Sequence, residues 1–343
     1  MSENVPTDAG AVPSPVALLQ MMTGYWSSQA VYVAAKLGLA DRLADGPKSA
    51  KELAAATDTD PSSLYRVMRA LASVSVFTET SSGHFGLTPM ADLLRSGTPE
   101  SMRTLAMVYA EELYRAWGDF LYSVRTGKPA FDHMFGMNAF EYFEKNPEAG
   151  RIFNEAMVGY TNQVAAAVAQ GYDFSSSGTI VDVGGGYGTL LTATLRKAPS
   201  TKGVLFDLPH VISSAEGAIT ASGVADRCER IGGDFFESVP AGDTYLLSQI
   251  LHDWDDARCV KILQNCRKAM SANGRLLVVE LVLPPGDQPS FGKWLDLHML
   301  AVAPGGRERT EAEYEVLFRA AGFTLERVVP TAAGPSIVEG IPA

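Results

Sequence analysis

Four short apolar runs separated by helical stretches constrain the fold of this chain more than any other feature. The runs are TIVDVGG, KGVLFDLP, TYLLSQIL and GRLLVVELVLP, and the stretches between them include YGTLLTATLRKAP and DDARCVKILQNCRKAMSANG. Apolar strands that alternate with helices predict a parallel sheet covered on both faces. We expect Gly274 to end the second of these helical stretches. The final runs, GFTLERVVP and PSIVEGIP, predict an antiparallel hairpin at the sheet edge, since only TAAG joins them.

The rest of the chain divides by pattern into three further segments. Residues 1–13 suit a flexible tail, and residues 14–100 predict short helices and a small hairpin, which is the layout of a winged helix. Residues 101–170 are helical and rich in aromatic residues and methionine, which suits either a core or the wall of a pocket for a flat ligand. Residues 171–343 then form the sheet domain.

Composition excludes several classes of partner. A net charge of −11 argues against nucleic acid, because phosphate binding needs an excess of Lys and Arg. No apolar run reaches the length of a membrane span, and the N-terminus lacks the pattern of a signal peptide. The three cysteines are not spaced as a disulfide framework, so we expect buried thiols and a cytoplasmic protein.

The stretch IVDVGGGYG predicts a strand, a glycine turn and a helix start, where doubly wound sheets bind nucleotide-like ligands. Its glycines do not match G-x-G-x-x-G, and the first basic side chain after the turn is Arg196. These absences favour an adenosyl ligand without phosphates, for which S-adenosylmethionine is the candidate. The acidic Asp182 suits its positive sulfonium. At the next strand end, Asp207 is either a ribose ligand or only a turn former.

A third strand end, GGDFFESVP, places Asp234 and Phe235 where they can contact the adenine amino group and ring. Three such strand ends in succession strengthen the prediction. We expect the cofactor to contact eight residues in all: Asp182, Gly184, Gly186, Asp207, Leu208, Asp234, Phe235 and Ser248.

The motifs DVGGGYG, FDLPHV, GGDFF, LHDWDD and GGRERT, in this order, closely resemble the S-adenosylmethionine-dependent O-methyltransferases of the caffeic-acid type. The resemblance implies an α/β fold: a Rossmann-like, doubly wound seven-stranded sheet with an antiparallel C-terminal hairpin, preceded by an all-α winged-helix dimerisation domain. It implies a homodimer formed through that domain and S-adenosylhomocysteine as product. We also expect no metal. The acids of DWDD fit a helix start better than a metal site.

The resemblance also implies the catalytic residues. His252 would be the base that takes the hydroxyl proton, with Glu280 and Glu308 as its acidic partners. From the residues alone, His252 can be structural, Glu280 can bind backbone at a strand end, and Glu308 can be a solvated loop charge. One departure is Ser248, where plant members often have a lysine. For the substrate pocket we expect four residues: Met157, Trp254, His298 and Met299.

The sequence therefore predicts an enzyme that methylates a hydroxyl of a small aromatic or polyketide-type natural product, with His252 as general base. The alternative is a cofactor-binding hydroxylase or decarboxylase of the same fold that acts on polyketides. A non-catalytic DNA-binding regulator is disfavoured, because the second helix of the winged-helix segment carries only Arg66 and Arg69 among apolar residues.

Overall fold

A computed structural model describes residues 13–98 and 100–343, which divide into two compact units, residues 1–111 and 112–343. The expected N-terminal tail lies outside the described residues apart from Pro13. The elements of the first unit are α1 Ser14–Met22, α2 Gly24–Lys36, α3 Leu39–Arg42, β1 Lys48–Ser49, α4 Ala50–Thr57, α5 Pro61–Ser73, β2 Phe77–Ser81, β3 His84–Leu87, α6 Pro89–Asp92 and α7 Arg103–Ala110.

The first unit is helical apart from a small sheet of order β1-β3-β2. Ser49 and Glu52 form a capping box that starts α4, and the Asp60 carboxylate caps α5 by accepting from the Ser63 N–H at 2.8 Å. Leu53 and Met68 of these helices are buried in one apolar core. The predicted order of helix, helix and hairpin is confirmed.

The second unit contains a helical segment followed by the large sheet. Its helices are α8 Glu112–Gly118, α9 Phe120–Thr126, α10 Ala130–Phe135, α11 Ala139–Lys145, α12 Pro147–Gly171, α13 Thr189–Lys197, α14 Pro209–Ala221, α15 Asp256–Ala269, α16 Phe291–Val302 and α17 Glu311–Ala320. Its strands are β4 Thr179–Val183, β5 Lys202–Asp207, β6 Cys228–Gly232, β7 Gly242–Ser248, β8 Met270–Glu280, β9 Val282–Leu283, β10 Arg309–Thr310, β11 Phe323–Pro330 and β12 Ser336–Pro342.

Seven strands form one sheet in the order β11-β12-β8-β7-β4-β5-β6. The five strands from β8 to β6 are parallel, whereas β12 is antiparallel to both β8 and β11. The predicted doubly wound sheet and its C-terminal hairpin are confirmed. Because β4 lies between β5 and β7, the chain reverses direction across the sheet there, and such a switch point leaves a crevice at the carboxyl strand ends.

Each face of the sheet is covered by helices, as a parallel sheet requires. Successive side chains of β7 point to opposite faces: Leu247 packs in the core with α15 and α17, and Leu246 packs in the core with α12, α13 and α14. Cys228, Cys259 and Cys266 are buried free thiols. Within the described ranges, no helix combines the length and apolar character needed to cross a membrane.

The prediction that Gly274 caps a helix is wrong. Helix α15 ends at Ala269, and Gly274 lies inside β8. A Cβ atom there would lie 2.7 Å from the Asp243 carbonyl oxygen, so the glycine allows close approach of neighbouring backbone.

The glycine turn, residues 184–188, joins β4 to α13. Gly184 has a φ of +70°, and a Cβ atom on it would lie 2.5 Å from Ile250 Cδ1. A Cβ atom on Gly185 would lie 2.5 Å from Leu205 Cδ1 and 2.6 Å from Asp182 Oδ2. Gly186 has nothing within 4 Å of that position. The first two glycines therefore admit the protein's own side chains, and Gly186 faces open space.

This packing predicts opposite effects for two glycine-to-alanine changes. We expect Gly185→Ala to reduce the free energy of unfolding by about 1–3 kcal/mol, because the added methyl overpacks against the side chains of Leu205 and Asp182. Gly217→Ala is the control: this exposed helical glycine has nothing within 4 Å, and the change should stabilise by about 0.5–1 kcal/mol. Urea unfolding measures both, and equal effects would contradict the packing.

Candidate active site

The segment that carries His252 is a short loop between β7 and α15, residues 249–255, called here the histidine loop. Gln249 begins it with a φ of +55°, which is uncommon for a residue other than glycine. The Gln249 backbone N–H and side-chain amide both donate to the Val279 carbonyl, at 3.1 and 3.3 Å. At the other end, the Asp255 carboxylate caps α15 by accepting from the Arg258 N–H at 2.9 Å. The loop is thus fixed at both ends.

Glu280, the last residue of β8, holds the middle of the histidine loop. Its Oε1 accepts from the backbone N–H groups of Ile250, Leu251 and His252 at 3.2, 2.6 and 3.2 Å. Its Oε2 accepts from the Tyr314 hydroxyl. These contacts reach the backbone of His252 and not its ring. Glu280 is therefore placed to position the loop, which is the alternative raised from the sequence.

Glu308 makes the direct contact with the imidazole. His252 Nδ1 lies 2.8 Å from Glu308 Oε1, and the Glu308 side chain is fully buried. A carboxylate only accepts, so Nδ1 carries the hydrogen and the lone pair of the neutral ring lies on Nε2. The Asp253 carboxylate lies 3.7 Å from Nε2. The arrangement is that of a base oriented by a carboxylate.

The GGRERT segment holds Glu308 against the loop. Arg309 is fully buried and donates to the carbonyls of Leu251 and Trp254, at 3.0 and 2.8 Å. The Arg307 N–H donates to the His252 carbonyl at 2.8 Å. A Cβ atom on Gly306 would lie 2.6 Å from that same carbonyl oxygen, so only glycine allows this approach.

The surroundings of His252 favour its protonated form. Burial by itself lowers the pKa of the ring, but the carboxylates of Asp253, Glu308 and Glu280 outweigh it and raise the pKa of His252 to about 9. The protonated His252 ring therefore contributes stability that is fully present below pH 6.5 and is lost as the pH rises through 9.

A second histidine, His298 on α16, has the opposite character. Burial, and then the charge of His252, lower the pKa of His298 to about 4, so the ring is neutral at pH 7. The Trp117 indole N–H donates to His298 Nδ1 at 3.0 Å. The next residue, Met299, is buried.

A cavity lies above the glycine turn, between α12 and the end of β7. Five of the predicted site residues line it: Met157, Asp182, Gly184, Gly186 and Ser248. Tyr160, from the aromatic-rich segment that suited a pocket wall, also lines it. Further lining residues that the sequence analysis missed include Asn154, Thr161 and Gln249. No sequence pattern marks these three as site residues, because their place depends on how α12 packs over the end of β7.

Two carboxylates frame the glycine turn. Asp207 Oδ2 accepts from the Gly186 N–H at 2.8 Å, and Oδ1 accepts from its own neighbour, the Leu208 N–H, at 2.7 Å. Asp182 is buried, and burial together with the charge of Asp207 raises the pKa of Asp182 to about 7. Its Oδ2 has no hydrogen-bond partner among the described residues. A buried oxygen of this kind fits a cationic or hydrogen-bond-donating ligand.

The predicted adenine residues follow β6. Asp234 Oδ1 accepts from the Phe236 N–H at 2.8 Å, and Leu208 is 45 % exposed. A Cβ atom on Gly184 would lie 3.6 Å from Phe235 Cε1, which places that ring beside the glycine turn. Trp254 packs on Phe235, at a ring distance of 6.3 Å. The structure therefore groups Trp254 with the predicted adenine residues.

Among residues 13–98 and 100–343, no group of three or more His, Cys, Asp or Glu side chains is arranged to hold a metal ion.

Comparisons with known proteins identify the family. The family model for the O-methyltransferase domain matches residues 117–324, and that for the O-methyltransferase dimerisation domain matches residues 19–97. The chain belongs to the O-methyltransferase family. It is an S-adenosylmethionine-dependent enzyme of natural-product biosynthesis, as the sequence predicted.

Individual relatives support this family assignment. The methyltransferase is 58 % identical to a phenazine O-methyltransferase of Lysobacter antibioticus, over the whole of both chains. It is 36 % identical to a phenazine-1-carboxylate N-methyltransferase of Pseudomonas aeruginosa, over 91 % of this chain and 92 % of that one. A crystal structure of a neocarzinostatin-biosynthesis O-methyltransferase with S-adenosylmethionine and 2-hydroxy-5-methyl naphthoic acid matches with a TM-score of 0.79. Its identity is 33 %, and the match covers 98 % of this chain and 100 % of that chain.

The cavity above the glycine turn has features that fit this cofactor. The Asp182 oxygen that has no hydrogen-bond partner in the described part of the chain suits its positive charge, and the absence of a side chain at Gly186 leaves room above the turn. Asp207 and Ser248 are the polar side chains at the ends of β5 and β7, the strands on either side of β4.

The two histidines give a direct test of the site's electrostatics. In an NMR titration of the ligand-free enzyme, we expect His252 to titrate near pH 9 and His298 near pH 4. Variants His252→Asn and His298→Asn assign the two signals. Glu308→Gln should lower the pKa of His252, because a carboxylate charge is lost. If both histidines titrate near their ordinary value of about 6.5, the described burial and pairing are wrong.

The role of Glu280 is also testable. We expect Glu280→Ala to reduce the free energy of unfolding by about 3 kcal/mol, because three backbone N–H groups lose their acceptor. Glu280→Gln keeps an oxygen in that place and should be much closer to wild type. The exposed Glu315→Ala is the surface control. Chemical denaturation compares the three, and an Ala variant as stable as the Gln variant would exclude the positioning role.

Proposed function

We propose that this methyltransferase transfers the methyl group to a hydroxyl of a small aromatic natural product and that His252 is the general base. The observation that carries the proposal is the contact between His252 Nδ1 and Glu308 Oε1 at 2.8 Å. When bound, S-adenosylmethionine supplies an electrophilic methyl group on a sulfonium. The names of the relatives favour a phenazine-like or other fused-ring hydroxyl as acceptor.

Residues of this chain remove the proton of the acceptor hydroxyl. A phenol has a pKa of about 10, so the hydroxyl must lose its proton as its oxygen attacks. Nε2 of the neutral His252 takes that proton, and Glu308 stabilises the imidazolium that results. The ring must first be neutral, although its pKa without ligand is about 9. That pKa falls when a cation is bound in the cavity that Ser248 and Gln249 line, because like charges repel.

Three further parts of the proposal concern assembly and binding. The dimerisation-domain match supports a homodimer formed through the first unit. Asp207 is proposed to bind the ribose, and Asp234 and Phe235 the adenine. Met157, Trp254, His298 and Met299 are proposed to border the acceptor.

The kinetic test compares His252→Ala with His84→Ala, which changes an exposed hairpin histidine. With radiolabelled cofactor and a panel of hydroxylated aromatics that includes 1-hydroxyphenazine, His252→Ala should lower kcat by about 10²–10⁴-fold. The control should be unchanged. Binding of S-adenosylhomocysteine, measured by calorimetry, should be retained in both variants.

The outcomes separate the alternatives. A ring nitrogen has no proton to lose, so methyl transfer that survives His252→Ala at full rate would favour N-methylation and exclude the base role. Product mass distinguishes methylation from the hydroxylation or decarboxylation considered from the sequence.

A further inference from the structure

His298 is a second imidazole near the proposed base, and its tautomer is set by its neighbour. An indole N–H only donates, so the 3.0 Å contact from Trp117 Nε1 makes His298 Nδ1 an acceptor. The ring is neutral, so its one hydrogen lies on Nε2. The two ring planes differ by only 11°, which is compatible with an N–H···N hydrogen bond in the plane of both rings. Trp117 is itself stacked on Phe120 at 4.7 Å.

The fold ties His298 to the same constellation as the base. Two residues before it on α16, Asp296 Oδ1 accepts from the Glu308 N–H at 3.0 Å, and the Glu308 side chain in turn holds His252. The charge of His252 contributes to the low pKa of His298, so the two rings are within electrostatic reach of each other.

The two rings therefore have complementary Nε2 atoms. In its neutral form, His252 presents a lone pair on Nε2, because Glu308 accepts from its Nδ1. His298 presents an N–H donor, because Trp117 donates to its Nδ1. Because the tautomer is fixed, His298 Nε2 can only donate a hydrogen bond. This holds for any group that accepts from it before substrate binds. A substrate that matches both atoms carries a hydroxyl and a hydrogen-bond acceptor side by side.

We propose that His298 determines acceptor specificity by donating a hydrogen bond from Nε2 to a ring nitrogen or carbonyl oxygen that lies beside the methylated hydroxyl. This rests on the proposed function. In such a compound the free hydroxyl donates internally to its neighbouring acceptor atom. That bond breaks when the hydroxyl turns to His252, and the His298 N–H replaces it.

The test compares two substrates of the same shape, 1-hydroxyphenazine and 1-hydroxyanthracene, which differ in having a ring nitrogen or a C–H beside the hydroxyl. The quantity measured is the ratio of their kcat/KM values in each variant. His298→Leu should lower the preference for 1-hydroxyphenazine about tenfold, the worth of one hydrogen bond. His298→Gln restores an N–H donor and should recover most of the preference.

Trp117→Phe keeps a ring on Phe120 but removes the N–H that sets the tautomer, and it should lower the preference by a smaller factor, about threefold. Unchanged S-adenosylhomocysteine affinity shows that each variant is folded. If the ratio is the same in wild type, His298→Leu and Trp117→Phe, the inference is overturned while the proposed function stands. If wild type methylates neither compound nor any other hydroxyl of the panel, the proposed function itself fails.

Discussion

The carboxylate of Glu280 is the contact on which the geometry of the active site depends. It lies at the end of a central strand, beyond the reach of water, and accepts three consecutive backbone N–H groups of the histidine loop. A buried carboxylate needs hydrogen-bond donors, and buried N–H groups need an acceptor. The Glu280 carboxylate and the loop N–H groups therefore satisfy each other. The loop is thereby fixed to β8, and the direction of the His252 ring follows from the path of its backbone.

Around this anchor the enzyme divides two tasks between two glutamates. Glu280 controls where the imidazole is, and Glu308 controls which of its nitrogens carries the hydrogen. Arg309 connects the two arrangements, because its guanidinium binds the loop carbonyls of Leu251 and Trp254. An acidic pair that looks equivalent in sequence therefore consists of one positioning residue and one direct partner of the ring.

Much of the fold and part of the candidate site were predictable from the sequence. The parallel sheet followed from the alternation of apolar runs with helices, and the place of His252 followed from a strand that ends just before it. The role of Glu280 was open, since a carboxylate at a strand end can face a ring or a backbone. Trp117 belongs to the aromatic-rich segment that was expected to form a core or a pocket wall, but its pairing with His298 was missed. Gln249 was missed because it belongs to no motif. The grouping of Trp254 with Phe235 was also missed, since it depends on how aromatic rings pack after two strand ends meet.

The distance along the chain between the two members of the dyad has a consequence for assembly. The glycine turn and Asp207 are joined by contacts about twenty residues apart, such as that between Gly186 and Asp207, whereas His252 and Glu308 are separated by 56 residues. Closing the longer loop carries the larger entropic penalty, by about 1 kcal/mol. The contact that sets the tautomer of His252 therefore needs more chain entropy to form than the contact that shapes the glycine turn.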